Sequence, residues 1–121
     1  MTTTVDHIGI NVANFEKAKA FYVAALKPLG LSVLQDYGTV IGLGADYPFV
    51  WVGEGDAGHV HLAFRAETPA QVDAFHNAAL AAGGKDNGAP GFRSEYSENY
   101  YAAFVHDPDG HNIEAVCHVR R

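Results

Sequence analysis

The stretch that decides the reading lies near the C-terminus: HDPDGHNIEAVCH, His106 to His118. Asp107-Pro108-Asp109-Gly110 carries the residues of a tight turn, and the spacing predicts a strand after it. Glu114 falls inside that strand, between Ile113 and Ala115-Val116-Cys117. Burying a carboxylate without a partner costs on the order of several kcal/mol. Side chains alternate along a strand, so Glu114, Val116 and His118 share one face and Ile113, Ala115 and Cys117 the other. The acid must therefore meet a compensating group on the face away from its apolar neighbours.

Upstream of this strand, HVHLAFRA (residues 59–66) alternates as a strand, with Val60, Leu62 and Phe64 on one face and His59, His61 and Arg65 on the other. Thr68 caps a predicted helix with Pro69 in its first turn and an apolar stripe of Val72, Phe75, Ala79 and Leu80, ending at Gly83-Gly84. A Gly- and Pro-rich connection over 83–91 leads to FRSEYSENYYAAFVHD. The first half has the same order. VDHIGINV (5–12) is a strand, and Asn14 caps a helix carrying Phe15, Ala18, Phe21, Tyr22, Ala25 and Leu26. Pro28 and Gly30 stop it, and strands follow over 31–36, 38–43 and 48–53. The chain thus predicts an α+β fold of two βαβββ modules in one domain, 1–121. Module one covers about 1–56 and module two about 57–121.

The composition is that of an ordinary globular protein, 48% hydrophobic and 18% charged. The formal charge of −6 and the lack of a basic cluster argue against nucleic acid as a partner. No apolar run is long enough to cross a membrane, and the N-terminus has neither a basic segment nor an apolar signal core. A single cysteine, Cys117, cannot form an intrachain disulfide, so the cytoplasm is the expected compartment. Histidine is plentiful, with seven residues.

Strand parity places His7 and His61 on the faces away from the two helices, as it does Glu114. If those faces curl towards one cavity, the three residues converge. Two neutral imidazoles and one carboxylate suit a single divalent metal ion (Mn, Fe, Ni or Zn) and leave coordination positions open for a small-molecule substrate. Taken singly, His7 reads as a hydrogen-bonded core histidine and Glu114 as half of an ion pair with Arg65 or Arg93. Other candidate lining residues are Trp51, Asn11, and the Arg93, Tyr96, Tyr100 and Tyr101 cluster, where an arginine among tyrosines would clamp a small anion. His106 and His111, flanking the turn, are expected to be exposed.

DHIGINV with its FYVAAL helix, VHLAFRA, and FVHDPDGHNIEAV together resemble the vicinal oxygen chelate superfamily. It comprises glyoxalase I, the bleomycin- and fosfomycin-resistance proteins and the extradiol dioxygenases. The resemblance covers the whole chain. It implies an open cup-shaped mixed sheet with helices outside, a homodimer, and a metal held by His7, His61 and Glu114. It also implies a glyoxalase-like enzyme of isomerase or lyase type, with extradiol dioxygenases and fosfomycin-type resistance enzymes as alternatives. Glyoxalase I has a further glutamate on the last strand of its first module; here Trp51 or Val50 takes that place, and the strand's acid is Glu54 at its far end. Gly9 and Phe104 stand where the fosfomycin transferases carry a hydroxyl and a tyrosine. By likeness to the dioxygenases, His59 and Tyr100 or Tyr101 are candidate acid/base residues beside Glu114. A metal-free binding protein of the bleomycin-resistance kind is the rival from another class, favoured by the net acidity and the tyrosine-rich segment.

Overall fold

A computed structural model describes residues 5–119, so both ends of the expected 1–121 domain, residues 1–4 and 120–121, lie outside the described residues. In chain order the elements are β1 (Ile8–Val12), α1 (Phe15–Leu26), β2 (Ser32–Asp36), β3 (Val40–Gly44) and β4 (Val50–Glu54). The second half repeats the plan with β5 (His61–Arg65), α2 (Pro69–Ala81), β6 (Lys85–Phe92), β7 (Tyr100–His106) and β8 (Asn112–His118). This is the expected α+β fold of two βαβββ modules.

Each module forms its own open four-stranded sheet, in the orders β1-β4-β3-β2 and β5-β8-β7-β6. The first and last strands of each module pair in parallel, and the remaining pairs are antiparallel. Parallel pairing needs a long crossover, which the helix and the middle strands supply.

Local chemistry explains the helices. The Asn14 side chain accepts from the Lys17 N–H at 3.1 Å, and Thr68 accepts from the Gln71 N–H. In α1 the buried residues are the expected stripe of Phe15, Ala18, Phe21, Tyr22, Ala25 and Leu26. In α2 the stripe is Val72, Phe75, His76 and Ala79. Leu80, expected on that stripe, is more than a third exposed, and His76 replaces it, bonding Asp86 on β6 at 2.9 Å. The inner faces of both sheets and both helices build one apolar core, including Val12, Phe21, Val50, Phe64, Phe75 and Ile113. Each large apolar side chain fully buried there contributes about 1.5–3 kcal/mol.

Two features depart from the sequence expectation. Residues 85–92 form strand β6, not a connection, although they contain Gly88, Pro90 and Gly91. As an edge strand with register shifts on either side of Gly88, β6 tolerates a residue without an N–H. His111, expected outside, is 1% exposed. Its Nε2 bonds the Asn11 carbonyl at 2.9 Å, and its Nδ1 accepts from the Val60 N–H at 3.1 Å. Asp107 beside it accepts from the Tyr22 hydroxyl and from the N–H groups of Asp109 and His111. The turn in DPDGH is thus a polar strut that ties module two to β1 and α1 of module one.

Candidate metal centre on the open face of the second sheet

The strand β8 alternates as its sequence requires. Ile113, Ala115 and Cys117 enter the core, while Glu114 lies on the face away from it. Glu114 stands between Ala63 on β5 and Phe104 on β7 in the strand register. Ala63 is small, so His61, two residues earlier on β5, reaches across it to bring Nε2 within 2.7 Å of Glu114 Oε1. From the other side the Tyr100 hydroxyl donates to Oε2. These neighbours leave Glu114 only 1% exposed on an otherwise open sheet face. Its expected arginine partners are not used.

Tyr100 is held by edge contacts with Tyr96 and His118. Burial first, then the bond to Glu114, pushes its hydroxyl up to about 12. It therefore stays a donor at neutral pH.

His7 is not brought to this pair within the chain. It precedes β1 of the other sheet, with its side chain 60% exposed and Nδ1 2.7 Å from Asp6 Oδ1. Among the described residues no three of His, Cys, Asp and Glu form a group placed to hold a metal ion. Strand parity fixes the face on which Glu114 lies, but His7 precedes β1 of the first sheet while His61 and Glu114 belong to the second.

The registers make the two modules comparable position by position. Gly9 pairs with Trp51 as Ala63 pairs with Glu114, and His7 precedes Gly9 as His61 precedes Ala63. Trp51, not Val50, is therefore the counterpart of Glu114. Its indole stacks on Tyr37 at 6.2 Å with a 9° interplanar angle. Asn11 is exposed on the same face of β1 as Gly9.

The remaining candidates scatter. Arg93 lies over the Phe104 ring at 5.4 Å and spends Nη1 on the Gly91 carbonyl and Nη2 on the Ala89 carbonyl. It braces the irregular part of β6, which leaves less of its guanidinium for the expected anion clamp. Tyr96 is 61% exposed. Tyr101 lies on the opposite face of β7 from Tyr100, with its hydroxyl donating to Asp73 of α2 at 2.7 Å; it is a packing residue there, not part of the Glu114 surroundings. His59 lines a different cavity, with His106 and the Asp107–Gly110 turn. His106, expected to be exposed, is half-buried and faces Asn112, which the sequence reading did not single out, across β7 and β8 in the same cross-strand row as His61. The short turn between them, counted back from Glu114, would have placed both.

Comparison with known proteins agrees with this architecture. The family model for the glyoxalase/bleomycin resistance protein/dioxygenase superfamily matches residues 4–115. A metallothiol transferase FosB from Shouchella clausii (strain KSM-K16) is 31% identical over 120 residues, spanning 94% of this chain and 80% of that protein. The crystal structure of a glyoxalase/bleomycin resistance protein from Albidiferax ferrireducens T118 superposes with a TM-score of 0.80 at 30% identity, covering 93% of this chain and 96% of that one. The fosfomycin resistance protein FosX from Listeria monocytogenes shares the fold, with a TM-score of 0.71 at 18% identity, over 98% of this chain and 96% of its own. A two-module fold, a histidine–glutamate pair on the second sheet and a family match along nearly the whole chain lead to one conclusion: the chain belongs to the glyoxalase/bleomycin resistance protein/dioxygenase superfamily.

Proposed function

We propose that this protein is a metal-dependent enzyme of glyoxalase-like type, acting on a small molecule through two adjacent oxygens. The observation that carries the proposal is Glu114, a carboxylate buried on an open face with an imidazole at one oxygen and a phenol at the other. A purely structural acid gains nothing at such a position over an apolar residue. His61 and Glu114 supply two donors suited to a borderline divalent ion, and the third is His7 of a second copy in a homodimer. The exposed His7 side chain and the separation of the two sheets support that arrangement. A bound divalent ion supplies Lewis acidity towards a carbonyl or enolate oxygen. The protein's own part is to hold Glu114 in place through Tyr100 and to present the Trp51–Tyr37 stack as an apolar wall.

Chelator-stripped protein titrated calorimetrically with Mn, Fe(II), Ni or Zn is expected to bind one ion per chain. His61→Ala and Glu114→Gln should lose that binding, whereas a wild-type chain that takes up none of the four ions refutes the reading. Among reactions, isomerase or lyase chemistry is preferred to ring cleavage. Oxygen consumption with a catechol by the Fe(II)-loaded protein would reverse that order. The likeness to a metallothiol transferase favours one second reading, thiol transfer to an epoxide such as fosfomycin. Gly9 and Phe104 weigh against it, and phosphorus NMR of fosfomycin incubated with protein, metal and a thiol decides it.

A further inference from the structure

Where the two modules meet, they leave a recess that the Glu114 centre does not use. It is a cavity of about 290 Å³, lined by Leu29, Leu31 and Phe49 of the first module and by residues 62–65 of β5. That volume stands near the lower end of the roughly 300–1,000 Å³ of small-molecule sites. Leu29, Leu31, Phe49 and Leu62 pack on the core but are only half-buried, so four large apolar side chains remain partly in water here.

Successive residues of a strand point to opposite faces, so a cavity that touches all four of residues 62–65 wraps round the free edge of the strand. β5 ends its sheet, with β8 as its neighbour on one side. The Asn112 N–H donates to the Val60 carbonyl, and the Ala66 N–H donates to the Val116 carbonyl. In a parallel pair alternate residues bond the neighbouring strand, so Val60, Leu62, Phe64 and Ala66 turn their backbone to β8. The N–H of Ala63 therefore points outward, to the cavity side.

Arg65 is the one charged residue in the lining. It is exposed, and it forms no ion pair and no side-chain hydrogen bond among the described residues. No carboxylate lines the recess, and Glu114, across from Ala63 on β8, is committed to His61 and Tyr100. The planar guanidinium matches the two oxygens of a carboxylate. A second copy seated here across a two-fold axis would bring two Arg65 side chains together, which their charge opposes.

We propose that this recess binds a small monocarboxylic acid with an apolar tail. Its carboxylate meets the Arg65 guanidinium and the Ala63 N–H, and its tail covers Leu29, Leu31, Phe49 and Leu62. Neither His61 nor Glu114 lines the recess, so the site stands apart from the metal reading and its test needs no metal.

In NMR titrations of metal-free protein, hexanoate is expected to shift the Ala63 amide and the methyl signals of Leu29, Leu31 and Leu62 in a saturable way. Hexylamine, with the same tail and the opposite charge, should bind more weakly. Arg65→Gln should weaken hexanoate binding by about three- to tenfold and leave hexanol binding unchanged, while Lys85→Gln at the far edge of the sheet leaves both unchanged. Both substituted side chains are exposed, so folding is not at risk. Overturning results are the lack of a saturable shift, hexylamine binding as tight as hexanoate, or undiminished hexanoate affinity in Arg65→Gln. Signals that move with protein concentration but not with hexanoate would assign the recess to a second copy and overturn the proposal as well.

Discussion

At the scale of single residues, most polar side chains buried in this protein meet donors or acceptors, with Asn99 Oδ1 and Asp109 Oδ2 as exceptions among the described residues. Tyr22 shows the rule. Its hydroxyl donates to Asp107 inside the fold, and burial, then the Asp107 charge, holds its pKa far above the ordinary tyrosine value. Tyr22→Phe leaves a buried carboxylate oxygen without its donor and is expected to cost about 1–3 kcal/mol in urea unfolding. The sign of the pH effect follows from linkage. A raised pKa in the folded state means that the native chain keeps a proton the unfolded chain releases, so stability is intact below about pH 10 and falls as pH rises beyond it. Tyr22→Phe should flatten that alkaline decline, and unfolding midpoints from pH 8 upward would measure it. Glu114 is the contrasting case, an acid kept at some cost to stability. Glu114→Gln should change metal-free stability by no more than about 1 kcal/mol while abolishing metal uptake. Its face was legible from the sequence, because period-two alternation fixes the side a residue points to regardless of what lies there. Its partners, His61 and Tyr100, were legible only as candidates, because which long side chain reaches which oxygen depends on the register of three strands.

At the scale of elements, β6 and β4 carry the main lessons. The segment Lys85–Phe92 has the composition of a loop, and only its place at the edge of the second sheet lets it pair despite Pro90 and its glycines. Composition could not reveal this, because the tolerance belongs to the position and not to the residues. In the first sheet, Gly42 lies opposite Trp51, and a Cβ added there would come within 2.8 Å of the indole and of Pro48. Gly42→Ala is therefore expected to destabilise the protein by about 1–3 kcal/mol and to displace the ring. Trp51 is the chain's single tryptophan, so its emission spectrum reports the displacement directly. An unchanged spectrum and midpoint would show that the stack does not depend on that glycine.

At the scale of the whole molecule, the two modules share one core and a polar strut but keep separate sheets, and this decides how a three-donor centre can form. With His7 just before β1 of one sheet and His61 and Glu114 on the other, the proposed three-donor centre requires a second copy. A complementation experiment follows. His7→Ala and Glu114→Ala chains should each fail to bind metal alone, but mixing and exchanging them should restore about one site in four. Half of the dimers are then mixed, each with one intact site of two. Metal analysis after exchange, with sedimentation to confirm the dimer, tests this; no recovery in a mixed dimer would place His7 outside the centre. The sequence by itself determined most of the order of elements, most helix limits and the alternation of faces along β5 and β8, because these follow from caps, turns and periodicities a few residues long. Tertiary structure alone decided that residues 85–92 pair as a strand, that His111 is an interior strut, that Tyr101 faces α2, and that His7 stands apart from Glu114. Each of these depends on hydrogen bonds between segments distant along the chain, whose registers no local spacing fixes.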